Sequence, residues 1–248
     1  MSTPSLLSRY QGVLFGLATG DALGTSVEFK ARDTFAPLTD MVGGGVFRLA
    51  AGQWTDDTSM ALCLAESLVK KQGFDALDQM QRYVRWRDDG YLSSTGHCFD
   101  IGMTVNRALS EFTQSKNPYS GSTDPHTAGN GALMRLAPIP LFYRTKVNDA
   151  LHYAKESART THGAPACLRT AEYFAALLLE ILAGTNKNEI LQPLFVVDKY
   201  GLSHNVESTL LAIYQADYVS KTREHIHGTG YVLASLEAAL WCFYHTTS

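Results

Sequence analysis

Two adjacent acids flanked by threonines, Thr55-Asp56-Asp57-Thr58, stand immediately ahead of an apolar run with helical spacing. Four oxygen-bearing side chains at one helix start can cap the helix or hold a hard cation. A cap needs one acceptor, so capping by Thr55 or Asp56, with Asp57 in the first turn, accounts for one acid but not for its neighbour and the flanking hydroxyls. Mg²⁺ prefers several oxygen ligands arranged as an octahedron, and consecutive residues of a first turn project in diverging directions, which suits contacts around a metal pair. Taken by itself the stretch leaves capping as the simpler reading and metal binding as the sharper one.

Other residues along the chain could join such chemistry. Glu28 lies between Val27 and Phe29, a setting in which a lone acid is usually solvated. A polar, glycine-punctuated loop over 93–102 delivers Asp100 to the start of the next helix, where it reads as the N-cap. Gly129-Asn130-Gly131 is a turn before a helical start, so its backbone N–H groups could meet a phosphate, with Arg135 as a charged donor; an ordinary turn is the competing reading. His162, after Thr161, reads as a C-terminal cap. His225 and His227 invite zinc, but no third or fourth ligand stands at a matching spacing. Gly228-Thr229-Gly230-Tyr231 suits an aromatic ring held beside a flat ligand. Gly20-Asp21-Ala22-Leu23-Gly24 reads as a helix end and turn, or as a loop that approaches a ligand closely.

The elements that must position these residues are helices. Apolar residues recur with helical period over 6–18 (Leu6, Tyr10, Val13, Leu14, Leu17) and over 60–69 (Met60, Ala61, Leu64, Ala65, Leu68, Val69). A helix over 74–88 turns Leu77, Met80, Val84 and Trp86 inward and shows a solvated basic face of Arg82, Arg85 and Arg87. Further stripes follow at 101–112, 147–158, 168–183, 206–218 and 232–243, with a surface loop over 114–126 and Pro138 and Pro140 limiting the helix after Arg135. No useful strand alternation is present, so the chain reads as all-α. With 248 residues, 45% hydrophobic and 18% charged, it fits one globular domain over 1–248. A net charge of −3 without any Lys/Arg block argues against a nucleic-acid partner. Cys63, Cys98, Cys167 and Cys242 form no C-x-x-C pair and read as reduced core residues. No signal peptide and no apolar stretch long enough for a membrane span is visible, which makes no membrane and a cytoplasmic location the default expectations.

In their order and spacing, Gly12-x-x-x-Gly16, Gly20-Asp21-Ala22-Leu23-Gly24 with Glu28, Trp54-Thr55-Asp56-Asp57-Thr58, Asp100-Ile101-Gly102, Gly129-Asn130-Gly131-Ala132-x-Met134-Arg135, Thr161-His162 and Gly230-Tyr231 resemble the ADP-ribosylglycohydrolase family, which includes the dinitrogenase-reductase-activating glycohydrolase. The resemblance covers nearly the whole chain. It implies an orthogonal multi-helix domain that cleaves the bond between the terminal ribose of ADP-ribose and an acceptor such as ADP-ribosyl-arginine, using two Mg²⁺ or Mn²⁺ ions. Carried over position by position, Thr55, Asp56 and Asp57 would be metal ligands, and Glu28 and Asp100 would lie at the reacting ribose as catalytic carboxylates. Gly129, Asn130, Gly131 and Met134 would cradle ADP-ribose, His162 would contact a distal ribose or phosphate, Tyr231 would face adenine, and Arg135 would hold the loop. Family members continue into a second metal motif of the form Gly-Asp-x-Asp-Thr, absent from these 248 residues. The expected domain is therefore C-terminally shortened, with self-association through the face left open. The alternative to hydrolysis is an ADP-ribose-binding module whose catalysis is impaired by loss of that motif.

Overall fold

Among residues 4–247, which the computed structural model describes, there is no strand, only three isolated backbone bridges. The helices in order are α1 Leu6–Gly24, α2 Asp56–Lys71, α3 Ala76–Asp89, α4 Met103–Ser115, α5 Pro138–Phe142, α6 Val147–Arg159, α7 Pro165–Ala183, α8 Lys187–Ile190, α9 Phe195–Tyr200, α10 Ser208–Tyr214 and α11 Val232–His245. The chain is all-α, as the missing strand alternation predicts. None of the helices is long and apolar enough to cross a membrane among the described residues.

The apolar helix α7 occupies the centre. It packs against α6, α5, α9 and α11, and Ala171, Ala175, Ala176, Leu179 and Leu182 are buried. Its small residues let neighbouring helices approach, so most of the buried surface gathers around it. A second, smaller core joins α2, α3 and α4 through Met60, Cys63, Met80, Tyr83, Trp86, Val105, Leu109 and Phe112. This core fixes the start of α2 relative to the loop before α4, and those two places carry the acids singled out above.

Several expectations need correction. Helix α1 does not end at Ala18 but runs to Gly24. Glycine in a helix interior costs about 1 kcal/mol, yet is tolerated where packing holds the turn, and Asp21 is tied to α2 there. On α3, Leu77 faces outward at 45% exposure, while Tyr83 and Gln79 take the inward places. Arg82 is not solvated: Asp78 and Glu66 both pair with it across α3 and α2. Of the cysteines, all of them free, Cys242 is exposed on α11 and Cys98 is half-buried.

The loop from α3 to α4 depends on one glycine. Gly90 caps α3 with φ +68, and a Cβ added there would sit 2.0 Å from the Gly96 carbonyl oxygen. Gly90→Ala combines left-handed strain with a backbone overlap. It is expected to cost at least about 2 kcal/mol, seen as a lower urea midpoint with unchanged slope.

Helix α1 has little cover. Of its 19 residues only Ala22 is buried, although Leu7 and Phe15 stand 66% and 65% exposed. Apolar grooves of about 740 and 510 Å³ flank it, one against α7 and α11, the other against Trp54 and α2.

Candidate functional site

The site begins with a knot between α1 and α2. Thr55 occupies the N-cap position of α2 but makes no side-chain cap hydrogen bond, and Asp56 is the first helical residue. The acceptor comes from α1 instead. Asp21 receives the backbone N–H of Thr55 (3.0 Å) and of Thr58 (3.1 Å), and the hydroxyls of Thr55 (2.8 Å) and Thr58 (2.6 Å). A carboxylate 34 residues away thus supplies the cap that Thr55 or Asp56 was expected to provide. Asp56 and Asp57 are freed from capping. Because the Thr55 hydroxyl donates to Asp21, its lone pairs stay available.

Around this knot the acids gather. Burial raises the pKa of Asp56, and Asp57, Asp100 and Asp21 raise it further. Asp57 is pushed up to about 7 by burial first and then by Asp21. Asp100 is likewise raised to about 7, by burial and then by Glu28, with which it shares a hydrogen bond. Burial also raises Glu28, and the hydroxyl of Thr25 lies 3.4 Å from its Oε2. Two carboxyls in hydrogen-bond contact hold one proton between them and titrate as a pair. Asp21, Glu28, Asp56, Asp57 and Asp100 therefore form one mutually repelling set, and no basic side chain appears among the influences on the raised four.

Asp100 is not the N-cap of α4. That place belongs to Gly102, and Asp100 stands two residues earlier with φ +56. A left-handed aspartate is uncommon and costs free energy. Here the conformation turns its carboxyl toward Glu28.

The donor set suits a hard divalent cation in type: carboxylate and hydroxyl oxygens with no side-chain cation to offset them. Among the described residues no three His, Cys, Asp or Glu side chains converge closely enough to hold an ion between them. Mg²⁺ is commonly held by one or two carboxylates with water and substrate completing the octahedron, so the fit is to a partly hydrated ion.

The second half of the site is a backbone platform. Gly129 precedes a short 3₁₀ turn over Asn130–Ala132 and forms an antiparallel bridge with Tyr231 at the start of α11. Asn130 N–H donates to the Gly230 carbonyl (2.9 Å) and Val232 N–H to the Ala128 carbonyl (3.0 Å). The Asn130 side chain donates to the Ser235 hydroxyl at 3.0 Å. His162 packs beneath: a Cβ on Gly131 would lie 2.8 Å from its Cε1 and 3.2 Å from Val105 Cγ2, so only glycine fits. Tyr231 is 38% exposed, and its hydroxyl donates to Glu207 at 3.0 Å. Asp57, Asn130 and Met134 line the same 740 Å³ groove, which joins one of the acids to the edge of the platform; Glu28, Asp56, Asp100 and Tyr231 lie outside its lining.

Burial decides between the readings open for Arg135 and rules out the capping one for His162. Arg135 is fully buried and meets no surface, so it is not a direct donor to a ligand, and it holds Thr160 and Thr161 instead. His162 is buried, and its side chain caps no helix end; its Nδ1 pairs with the Thr161 hydroxyl.

A family model described as ADP-ribosylglycohydrolase matches residues 2–248. The chain belongs to this family. It is 40% identical over 242 residues to the ADP-ribosylarginine hydrolase Tri1 of Pseudomonas putida (strain GB-1), covering 98% of this chain and 63% of the relative. The ADP-ribosylarginine hydrolase Tri1 of Serratia proteamaculans (strain 568) is 38% identical over 97% of this chain and 63% of its own length. The ADP-ribosyl-(dinitrogen reductase) glycohydrolase of Rhodospirillum rubrum is 35% identical over 68% of this chain and 57% of its own. A solved structure named ADP-ribosylglycohydrolase-related protein complex superposes with a TM-score of 0.81 at 40% identity, over 97% of this chain and 76% of that one. The chain thus spans under two thirds of the length of these curated relatives.

Within this member of the ADP-ribosylglycohydrolase family, sequence spacing brings forward the acids and the glycine turn but passes over the residues that organise them. Asp21 lay inside a supposed turn, and the signal that could have found it is that it is the one acid of this helix, a turn before Thr25. Thr58 was visible only as a flanking hydroxyl and Ser235 had no signal of its own; each acts through a long-range hydrogen bond.

Proposed function

We propose that the chain carries the ADP-ribose-binding and bond-cleaving face of a hydrolase that releases ADP-ribose from a modified acceptor, with ADP-ribosyl-arginine as the favoured class. The observation that carries this reading is the single groove bordered by Asp57 on one side and the Asn130–Met134 platform on the other. Backbone N–H groups of the turn suit the pyrophosphate, and Tyr231 suits adenine. Thr55, Asp56 and Asp57 would hold Mg²⁺ or Mn²⁺, which supplies a fixed positive charge for ribose hydroxyls. Departure of the acceptor from C1″ develops oxocarbenium character, and the Glu28–Asp100 pair accepts the proton of the attacking water. Relatives named as arginine-linked hydrolases support the acceptor class.

Incubating the 248-residue chain with an ADP-ribosylated arginine peptide and Mg²⁺ is expected to yield free ADP-ribose. Binding of ADP-ribose without release would establish the binding-module reading instead, and absence of both would end this one. The uncovered face of α1 is expected to pair with a second copy at high concentration, because exposed apolar surface of this kind drives association. A monomeric mass by light scattering at millimolar chain would rule that out.

A further inference from the structure

Beneath the Gly129–Gly131 turn runs a buried hydrogen-bond chain that the reading above leaves without a task. The Arg135 guanidinium donates to the Thr161 hydroxyl (2.7 Å), the Ser157 carbonyl (3.1 Å) and the Thr160 hydroxyl (3.3 Å), and stacks 4.7 Å from the Tyr83 ring centroid. Its Nε and Nη1 are buried without partners. Among the described residues no carboxylate is in ion-pair contact with it, so its charge is uncompensated directly below the turn. Thr161 Oγ1 lies 2.9 Å from His162 Nδ1.

The direction of these bonds follows from donor capacity. Arginine only donates, so the Thr161 oxygen accepts from Arg135 and keeps one proton to give. Among the described residues His162 Nδ1 is the acceptor in reach of that proton. A proton on Nδ1 would leave the fully buried Thr161 hydroxyl facing two donors with nothing to donate to, an arrangement that buried polar groups avoid. The ring therefore carries its proton on Nε2. That nitrogen has no partner among the described residues, is not one of the sealed unpaired atoms, and lies 3.4 Å from where a Gly129 Cβ would be.

We propose that Arg135 is a positioning residue for an anionic ligand of the Gly129–Gly131 turn: through Thr161 it locks His162 as the Nε2–H tautomer, so that one neutral donor, backed by a buried positive charge, faces the ligand's oxygen. Burial and the Arg135 charge also keep the ring neutral, holding its pKa down to about 3. His162 is thus a fixed donor at every working pH and neither a general acid nor a base. The identity of the anion as the ADP-ribose pyrophosphate rests on the function proposed above; the tautomer does not.

The test is ¹⁵N spectroscopy of the histidine-labelled 248-residue chain beside ADP-ribose calorimetry, on wild type, Thr161→Val, Thr161→Ser and Arg135→Met. Wild type and Thr161→Ser are expected to show a pyrrole-like Nε2 and an unprotonated Nδ1. Thr161→Val is expected to mix the tautomers and weaken ADP-ribose five- to tenfold, roughly the worth of one hydrogen bond, with the serine variant restoring both. Arg135→Met should weaken binding by at least as much; should it fail to fold, the Thr161 pair decides. An Nδ1–H ring in wild type, or a Thr161→Val that moves neither tautomer nor affinity, overturns the proposal. An Nε2–H ring in a wild type that binds no ADP-ribose overturns the function above and the ligand half of this inference, while leaving the ring assignment in place.

Discussion

Asp57→Ala is expected to raise the stability of metal-free protein at pH 8 while removing hydrolysis. In the fold the Asp57 carboxyl is pushed up to about 7 from an ordinary value of 3.8. A raised acid binds more protons folded than unfolded, so its contribution favours the fold below its unfolded pKa and declines as pH climbs from about 4 to about 7. Above that range the folded state carries a buried, repelled charge costing on the order of 2–3 kcal/mol, discounted for the partial exposure of the site. Removing Asp57 removes that cost and relieves its neighbour Asp56. The same substitution takes away an oxygen that would hold the cation, and release of ADP-ribose should fall by at least about 100-fold, the scale of losing a preorganised electrostatic contact. Thermal melts across pH 4–9, with and without Mg²⁺, check both halves: wild type should lose stability toward alkaline pH and regain it with Mg²⁺, and the variant should lose less, because only Asp56, Asp100 and Glu28 remain raised, and should not regain it with Mg²⁺. A variant less stable than wild type at pH 8 would mean that Asp57 is satisfied within the fold and has no cation to serve.

Such opposed effects on stability and activity explain why the acids were visible in the sequence. Paired carboxylates at a helix start, an acid before a glycine-rich helix entry and a Gly-Asn-Gly turn are locally improbable as pure scaffold, so spacing exposes them. The helices were legible for the same kind of reason: the stripes of α2, α4, α6, α7 and α11 repeat with period 3.6, and α7 shows as the most apolar stretch because it is buried on nearly every side. What could not be read was set by tertiary partners. Leu77 and Tyr83 lie on neighbouring faces of α3, and only the packing of α2 and α4 decides which turns inward. Helices α8 and α9 have 4 and 6 residues, too short for a period to declare itself. For Arg135 the residue type alone left a charged donor open, and the resemblance pointed instead to holding the loop; the burial that decides for the latter depends on Tyr83 and Thr161, which no local pattern announces.

The residue that spacing misplaced carries the second large effect. Asp21→Ala is expected to destabilise the protein by about 3 kcal/mol and to abolish cation binding together with it. Its carboxylate receives four hydrogen bonds at the start of α2, two from backbone N–H groups of Thr55 and Thr58 and two from their hydroxyls. A helix start leaves N–H groups without intrahelical partners, and here that end is buried, so no water replaces the lost acceptor. One term opposes: Asp21 adds to the repulsion felt by Asp56 and Asp57, and its removal returns about 1 kcal/mol, the scale of one screened like-charge pair. Four donors at roughly 1 kcal/mol each outweigh that return. Asp21→Asn keeps one oxygen acceptor and loses the charge, so it should recover about half of the stability, whereas Asp57→Ala raises it. Urea unfolding of the three variants separates a carboxylate that holds the fold from one that the fold holds for a ligand. Equal losses for Asp21→Ala and Asp57→Ala would show that the two acids do the same work, which the hydrogen bonds to Asp21 alone do not allow.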